Sequence, residues 1–138
     1  TAKEWDVRWR AAEALGSIGS EKAISPLINA LTTDKESDVR GRAAEALGSI
    51  GSEKAISPLI NALTTDKESY VRWRAAYALG SIGSEKAIEP LKAALRDEGR
   101  WAGEKVKDAA FASLEKISRK VGRRITSSGA AAKLTIQN

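Results

Sequence analysis

Cysteine and histidine are both missing from this 138-residue chain. Without cysteine there is no disulfide, no thiolate metal site and no Cys nucleophile. Without histidine the commonest general base, the commonest metal ligand and the usual catalytic triads are gone. Carboxylate or lysine chemistry is all that remains, so the chain is expected not to be an enzyme and to carry no cofactor or metal. Methionine is absent as well, and the chain reads as a fragment or a processed product. No apolar run approaches the roughly 20 residues of a membrane helix. No signal-peptide pattern is read at the start. A cytoplasmic protein without a membrane partner is expected.

What is present suits a folded, soluble chain: 42% hydrophobic and 30% charged residues. The apolar residues are mostly Ala, Leu and Ile, with one Phe. A core made of these is thin, as between closely packed helices. The net charge of +5 is uneven. Residues 1–100 carry 15 basic and 15 acidic side chains, whereas residues 101–138 carry 8 and 3. The high pI therefore belongs to the C-terminal segment.

Self-similarity is the dominant signal. Residues 6–37 and 38–69 are identical except that Gly41 stands where the first copy has Trp9. A third copy starts at Tyr70 and diverges after Leu95. The near-identity fits recent duplication or design.

Each period holds two helices. Val39, Ala43, Leu47 and Ile50 fall on one narrow arc of an inner helix over about 38–50. Gly51 suits the residue just past a helix end, and Ser52 suits an N-cap. A second helix buries Ile56, Leu59, Ile60 and Leu63. Pro58 in its first turns implies a late start or a kink. Residues 64–69 read as the polar loop to the next copy. Gly48 recurs as Gly16 and Gly80, although glycine weakens a helix by about 1 kcal/mol. A packing reason is expected, such as close approach of the adjacent helix. Because one hairpin cannot bury its apolar stripe alone, neighbours must stack. The period breaks near the end, since Leu91 to Val106 is three residues longer than the matching step elsewhere. Val106, Ala110, Leu114, Ile117 and Val121 then mark a closing helix. The expected organisation is one all-α superhelical solenoid over 1–125. It comprises repeats 6–37, 38–69 and 70–100 and a capping helix at about 104–125. Residues 126–138 read as a disordered tail.

The unit xVRxxAAxALGxIGxExAixPLixAL is carried in the second repeat by Val39, Arg40, Ala43, Ala44, Ala46, Leu47, Gly48, Ile50, Gly51, Glu53, Pro58 and Leu59. It resembles HEAT-like repeats of the phycobilisome-lyase type, and also alphaRep, the artificial family built from their consensus. The resemblance covers about residues 6 to 95. It implies a right-handed α-superhelix that binds partners on the concave face of its inner helices, generally without catalysis. The repeat is one residue longer than the artificial unit, and bilin-lyase chemistry does not carry over to a chain without thiol or imidazole.

Differences between the copies point to a surface. Asp6, Trp9 and Glu13 become Asp38, Gly41 and Glu45, then Tyr70, Trp73 and Tyr77. These offsets lie within about 60° on a helix of ~3.6 residues per turn. Tyr70, Trp73 and Tyr77 are thus expected as a solvent-facing aromatic stripe, joined by Trp9 and flanked by Arg42 and Arg74. Aromatic rings bury much area with few rotors. The competing reading is packing against a neighbouring repeat or the C-terminal extension. Trp5 either joins the face or covers the open N-terminal end. Trp101 reads as packing in the irregular last connection.

Arg8, Arg40 and Arg72 read as a ladder bonding loop carbonyls or a carboxylate such as Asp34 or Asp66, or else as a row of phosphate contacts. Arg119, Lys120, Arg123 and Arg124 read as a solvated helix end suited to the negative dipole, or as a patch for nucleic acid. The function expected is a protein-binding scaffold. Nucleic-acid binding through the Arg rows and the basic helix is one alternative. A designed consensus scaffold with no natural partner is another. End-to-end self-association is also open, because the first repeat lacks a distinct polar cap.

Overall fold

A computed structural model describes residues 4–128, with side chains described as far as Gly122. The elements in order are α1 (Glu4–Ile18), α2 (Ile24–Thr33), α3 (Ser37–Ile50), α4 (Ile56–Thr65), α5 (Ser69–Ile82), α6 (Ile88–Ala94), β1 (Arg100–Trp101), β2 (Glu104–Lys105) and α7 (Val106–Ser128). Helices α1, α3, α5 and α7 stand side by side as a first layer, and α2, α4 and α6 form a second. The result is an all-α solenoid of stacked helical hairpins. Among the described residues no helix is long and apolar enough to cross a membrane.

Local chemistry sets the hairpin. Gly51 ends α3 in the left-handed region at φ 78°, its N–H bonded to the Leu47 carbonyl, a conformation that a β-carbon resists. The Ser52 hydroxyl then accepts the Lys54 N–H and opens a 3₁₀ turn over Glu53–Ala55. The second-layer helix starts late, at Ile56. Pro58 therefore lies in the first turn, where its missing N–H costs nothing. Thr64 and Thr65 return their hydroxyls to the carbonyls of Ile60 and Asn61, so α4 runs two residues into the segment that reads as loop.

The buried set of α3 is wider than the arc of Val39, Ala43 and Leu47. Ala44, Ala46 and Gly48 are closed too, because both flanks of the helix touch its neighbours. A β-carbon on Gly16 or Gly48 would fall 2.8 Å from the Cα of Ala46 or Ala78. On Gly80 it would collide with Ser113, whose hydroxyl donates to the Ala76 carbonyl at 2.7 Å. Glycine recurs mid-helix because the next helix lies where its side chain would be.

The third connection departs from the repeat. Helix α6 is short, and β1 pairs antiparallel with β2, Arg100 opposite Lys105 and Trp101 opposite Glu104. Ala102 and Gly103 turn the hairpin with φ of 50° and 83°, the sign pattern of a two-residue type I′ turn. This hairpin takes up the three extra residues. Glu104 and Lys105 belong to it, so the closing helix begins at Val106. Residues 126–128 end that helix, and the rest of the expected tail lies outside the described residues.

An arginine ladder ties the loops together. Arg8 donates to Asp34 at 2.7 and 3.2 Å. Arg40 donates to Asp66 at 2.9 and 3.1 Å and to the Asp34 carbonyl at 3.0 Å. Arg72 donates to Asp97 at 2.7 and 3.3 Å and to the Asp66 carbonyl at 2.8 Å. Each aspartate also accepts the backbone N–H two residues on. Partial burial pushes the carboxyls of Asp34 and Asp97 up. The guanidinium hydrogen bonds of Arg8 and Arg72 and the N–H groups of Glu36 and Gly99 outweigh that and hold both below their ordinary value.

Two outcomes follow for stability. Gly48→Val should cost about 3 kcal/mol in urea unfolding through overpacking. Ser49→Val next to it, on an exposed site, should cost less than about 0.5 kcal/mol. Equal effects would mean that the helices can move apart freely. Depressed carboxylates stabilise the fold above their unfolded pKa and lose that contribution as pH falls through the folded value. The melting temperature should thus drop as the pH falls below about 4. The double variant Asp34→Asn, Asp97→Asn should give a flatter acid limb, and equal slopes would remove these pairs from the account.

Candidate protein-binding surface

The face of the first layer turned away from the second layer carries the side chains that differ between repeats. Its polar part crosses three helices. Arg42 of α3 reaches Glu45 at 3.0 Å and Glu13 of α1 at 3.8 Å. Arg74 of α5 reaches the other Glu45 oxygen at 2.9 Å. Both guanidinium groups also lie against rings. Arg42 sits 4.5 Å from the centroid of Trp9. Arg74 sits 5.1 Å from that of Trp73 and 5.5 Å from that of Tyr70. Rings and cations attract through the ring quadrupole, so Trp9, Arg42, Glu45, Arg74 and Trp73 form one continuous band.

The aromatic end of the band is a pile of four rings. Trp73 meets Tyr77 edge-on at 5.0 Å. Trp101 lies 5.0 Å from Trp73 and 4.7 Å from Tyr70. Tyr77 and Trp101 remain exposed, each at 39%, while Trp73 is half-buried. Rings at these separations and tilts gain beyond their buried area. The two outer rings are therefore held in place before anything binds them.

Tyr70 corrects the expected solvent stripe. It is only 8% exposed. Its ring fills the space above Gly41, where even a β-carbon would collide with it, and Trp101 covers its other side. Gly41 and Tyr70 are thus a matched pair: the second repeat gives up the tryptophan of its neighbours, and the third fills the volume. Periodicity places Tyr70 on the right face of α5 but cannot show that an adjacent glycine opens a seat for it. Trp9 is half-buried beneath Arg42, and Trp73, Tyr77, Arg42 and Arg74 do come together. Trp5, at the start of α1, is half-buried.

Trp101 is the residue that sequence reasoning left out of the face. It packs in the last connection as expected, yet it also presents a large exposed surface. The signal available was the three-residue excess before Val106, long enough for a tight hairpin that turns a ring back onto α5. Asp97 was missed for a related reason. Strict periodicity would place the third ladder carboxylate at Glu98, and the shorter α6 moves the role one residue earlier. Glu98 bonds Lys107 at 2.8 Å instead.

The basic residues divide. Arg8, Arg40 and Arg72 are engaged by carboxylates, Arg42 and Arg74 likewise. Lys120 donates to the Ile82 carbonyl at 3.4 Å, so it meets the negative end of α5. Arg119 is exposed, and the side chains of Arg123 and Arg124 lie outside the described residues. Among the described residues no cluster of acidic side chains could hold a metal ion.

Comparison with known proteins agrees with this architecture. The family described as HEAT repeats matches residues 1–42 and 24–115. No curated protein sequence matches the chain significantly. Among solved structures, the complex of CpcE and CpcF of phycocyanin lyase from Nostoc sp. PCC7120 is similar at a TM-score of 0.69 and 26% identity, over 92% of this chain and 53% of that one. Human deoxyhypusine hydroxylase is similar at a TM-score of 0.70 and 24% identity, over 98% of this chain and 44% of that one, a likeness of fold alone. The chain thus spans about half the length of the structures it resembles. With the family signature running through all three hairpins and into the closing helix, the chain belongs to the HEAT-repeat family.

Proposed function

We propose that this chain is a non-catalytic protein-interaction scaffold whose partner docks on the open face of the first layer. The observation that carries the reading is the pair of exposed rings, Tyr77 and Trp101, held on Trp73 and Tyr70. Trp9, Arg42 and Arg74 extend that surface across the stack. Preordered aromatic anchors beside guanidinium groups are typical of the few residues that dominate binding energy. Binding fits better than chemistry because the two carboxylates beside the rings, Glu13 and Glu45, are paired with Arg42 and Arg74. The phycocyanin-lyase neighbour was solved as a complex of two proteins, which supports a protein partner here. The activities in the names of the two neighbours belong to those proteins.

Three guanidinium groups locked into aspartates make a poor row of phosphate contacts, since each would have to break a bidentate pair first. A protein partner is therefore the preferred reading over nucleic acid.

The test is a protein recovered on the immobilised chain, purified, and titrated against the chain and its variants. The double variant Tyr77→Ser, Trp101→Ser should weaken that complex by about 100-fold. Its own melting temperature should move by no more than about 5 °C, because the buried rings beneath stay. Unchanged affinity would overturn the assignment of the face. In gel shifts at about 50 mM salt the chain should leave duplex and single-stranded DNA and RNA free, and a retarded band with a steep salt slope would favour nucleic acid instead.

A further inference from the structure

The open face of the first layer ends on α7, and glycine packing fixes which α7 residues belong to it. Gly80 rests on Ser113 as Gly48 rests on Ala78. Ser113 therefore stands where Ala78 stands, Ala112 where Tyr77 stands and Lys116 where Ser81 stands. Ser17, Ser49 and Ser81 are exposed on every earlier first-layer helix, so Lys116 holds a position that the stack leaves open throughout. Arg119 lies one turn further along the same stripe. Both cations are exposed.

The charges of this face are not balanced. Its inner carboxylates, Glu13 and Glu45, are paired with Arg42 and Arg74. Lys116 and Arg119 have no carboxylate partner among the described residues. Glu115 stands where Gly80 stands, on the side that meets a following helix, and so points off the face. Asp108 and Glu104 are exposed at the opposite edge, Asp108 in the first turn of α7 and Glu104 across the β-hairpin from Trp101. A shortage of acceptors recurs deeper in the band. The buried side-chain polar atoms without a partner among the described residues are Arg42 Nε and Trp73 Nε1. Both are donors, and a buried donor lacking an acceptor is costly. Residues 101–138 carry 8 basic and 3 acidic side chains, a surplus that draws anionic partners.

Resting on the protein-binding reading, we propose that the segment this face receives is acidic. It is a peptide stretch rich in aspartate or glutamate that lays an apolar side chain against Tyr77 and Trp101 and carries its carboxylates onto Lys116 and Arg119. Ala112, in the place next to Tyr77, is small and leaves room for a backbone to pass from the rings to the cations. A phosphate backbone needs a row of cations, and those along the stack, Arg8, Arg40 and Arg72, are held by aspartates.

The probes are three end-labelled peptides of about ten residues, long enough to span rings and cations when extended. Each has one central leucine, set in glutamate, serine or lysine, and binding is read by fluorescence anisotropy. At about 50 mM salt the glutamate peptide should bind at least about 10-fold more tightly than the serine peptide, and about 0.5 M salt should remove most of that advantage. Lys116→Glu with Arg119→Glu should abolish it, a loss of about 10-fold. The melting temperature should move by less than about 2 °C, because both side chains are exposed. Tyr77→Ser with Trp101→Ser should weaken the glutamate peptide by at least about 5-fold.

A glutamate peptide that binds no better than the serine one, a lysine peptide that binds better, or an advantage untouched by the charge reversal overturns the proposal. So does glutamate-peptide binding that ignores the ring substitutions, since it then lies elsewhere. Single-stranded RNA that binds as tightly and is lost on the same reversal assigns the cations to nucleic acid and overturns it too. If the glutamate peptide fails while Tyr77→Ser with Trp101→Ser still weakens the complex with the recovered protein, the face stands and its acidic occupant alone falls.

Discussion

The first-layer helices touch backbone to backbone, and the rest of the molecule depends on that contact. A glycine on one helix rests on an alanine of the next at Gly16 and Ala46 and at Gly48 and Ala78, and on a serine at Gly80 and Ser113. Helices this close leave no room for large side chains between them, so the first layer is rich in alanine, while Leu47 and Leu79 are fully buried in the common core. Dispersion between many small groups at short range replaces the bulk of a few large ones. Each glycine weakens its own helix, and the packing it permits outweighs the loss.

Close spacing also sets the reach of the polar side chains. With neighbouring helices in contact, Arg40 spans from one loop to the next and bonds both at once. The arginine ladder ties successive loops at the same register in which the glycines set the helices. On the opposite face the same spacing lets Arg42 and Arg74 share Glu45 from two helices. Salt bridges of this exposure add little singly. Their effect here is to align the rings they lie against.

The aromatic pile shows how two irregularities complement each other. Gly41 removes a ring from the second repeat, and Tyr70 fills the gap from the third. The β-hairpin after α6 then brings Trp101 over Tyr70 and Trp73. Small residues at the interface thus sustain a surface of large ones.

The repeat and its demands are legible in the order of residues alone. A 32-residue period, glycines at fixed places, a late proline and Ser caps are local signals, and local backbone chemistry obeys them wherever they occur. They made the all-α stack legible, as well as the face on which Trp9, Trp73, Tyr77, Arg42 and Arg74 meet. Which of those rings see water is set by packing between distant segments. That depends on what a neighbouring helix leaves empty, as Gly41 does for Tyr70, and on where an aperiodic hairpin turns, as with Trp101. Contacts across 25 residues or more are fixed by packing, and periodicity carries no information about where an aperiodic segment turns.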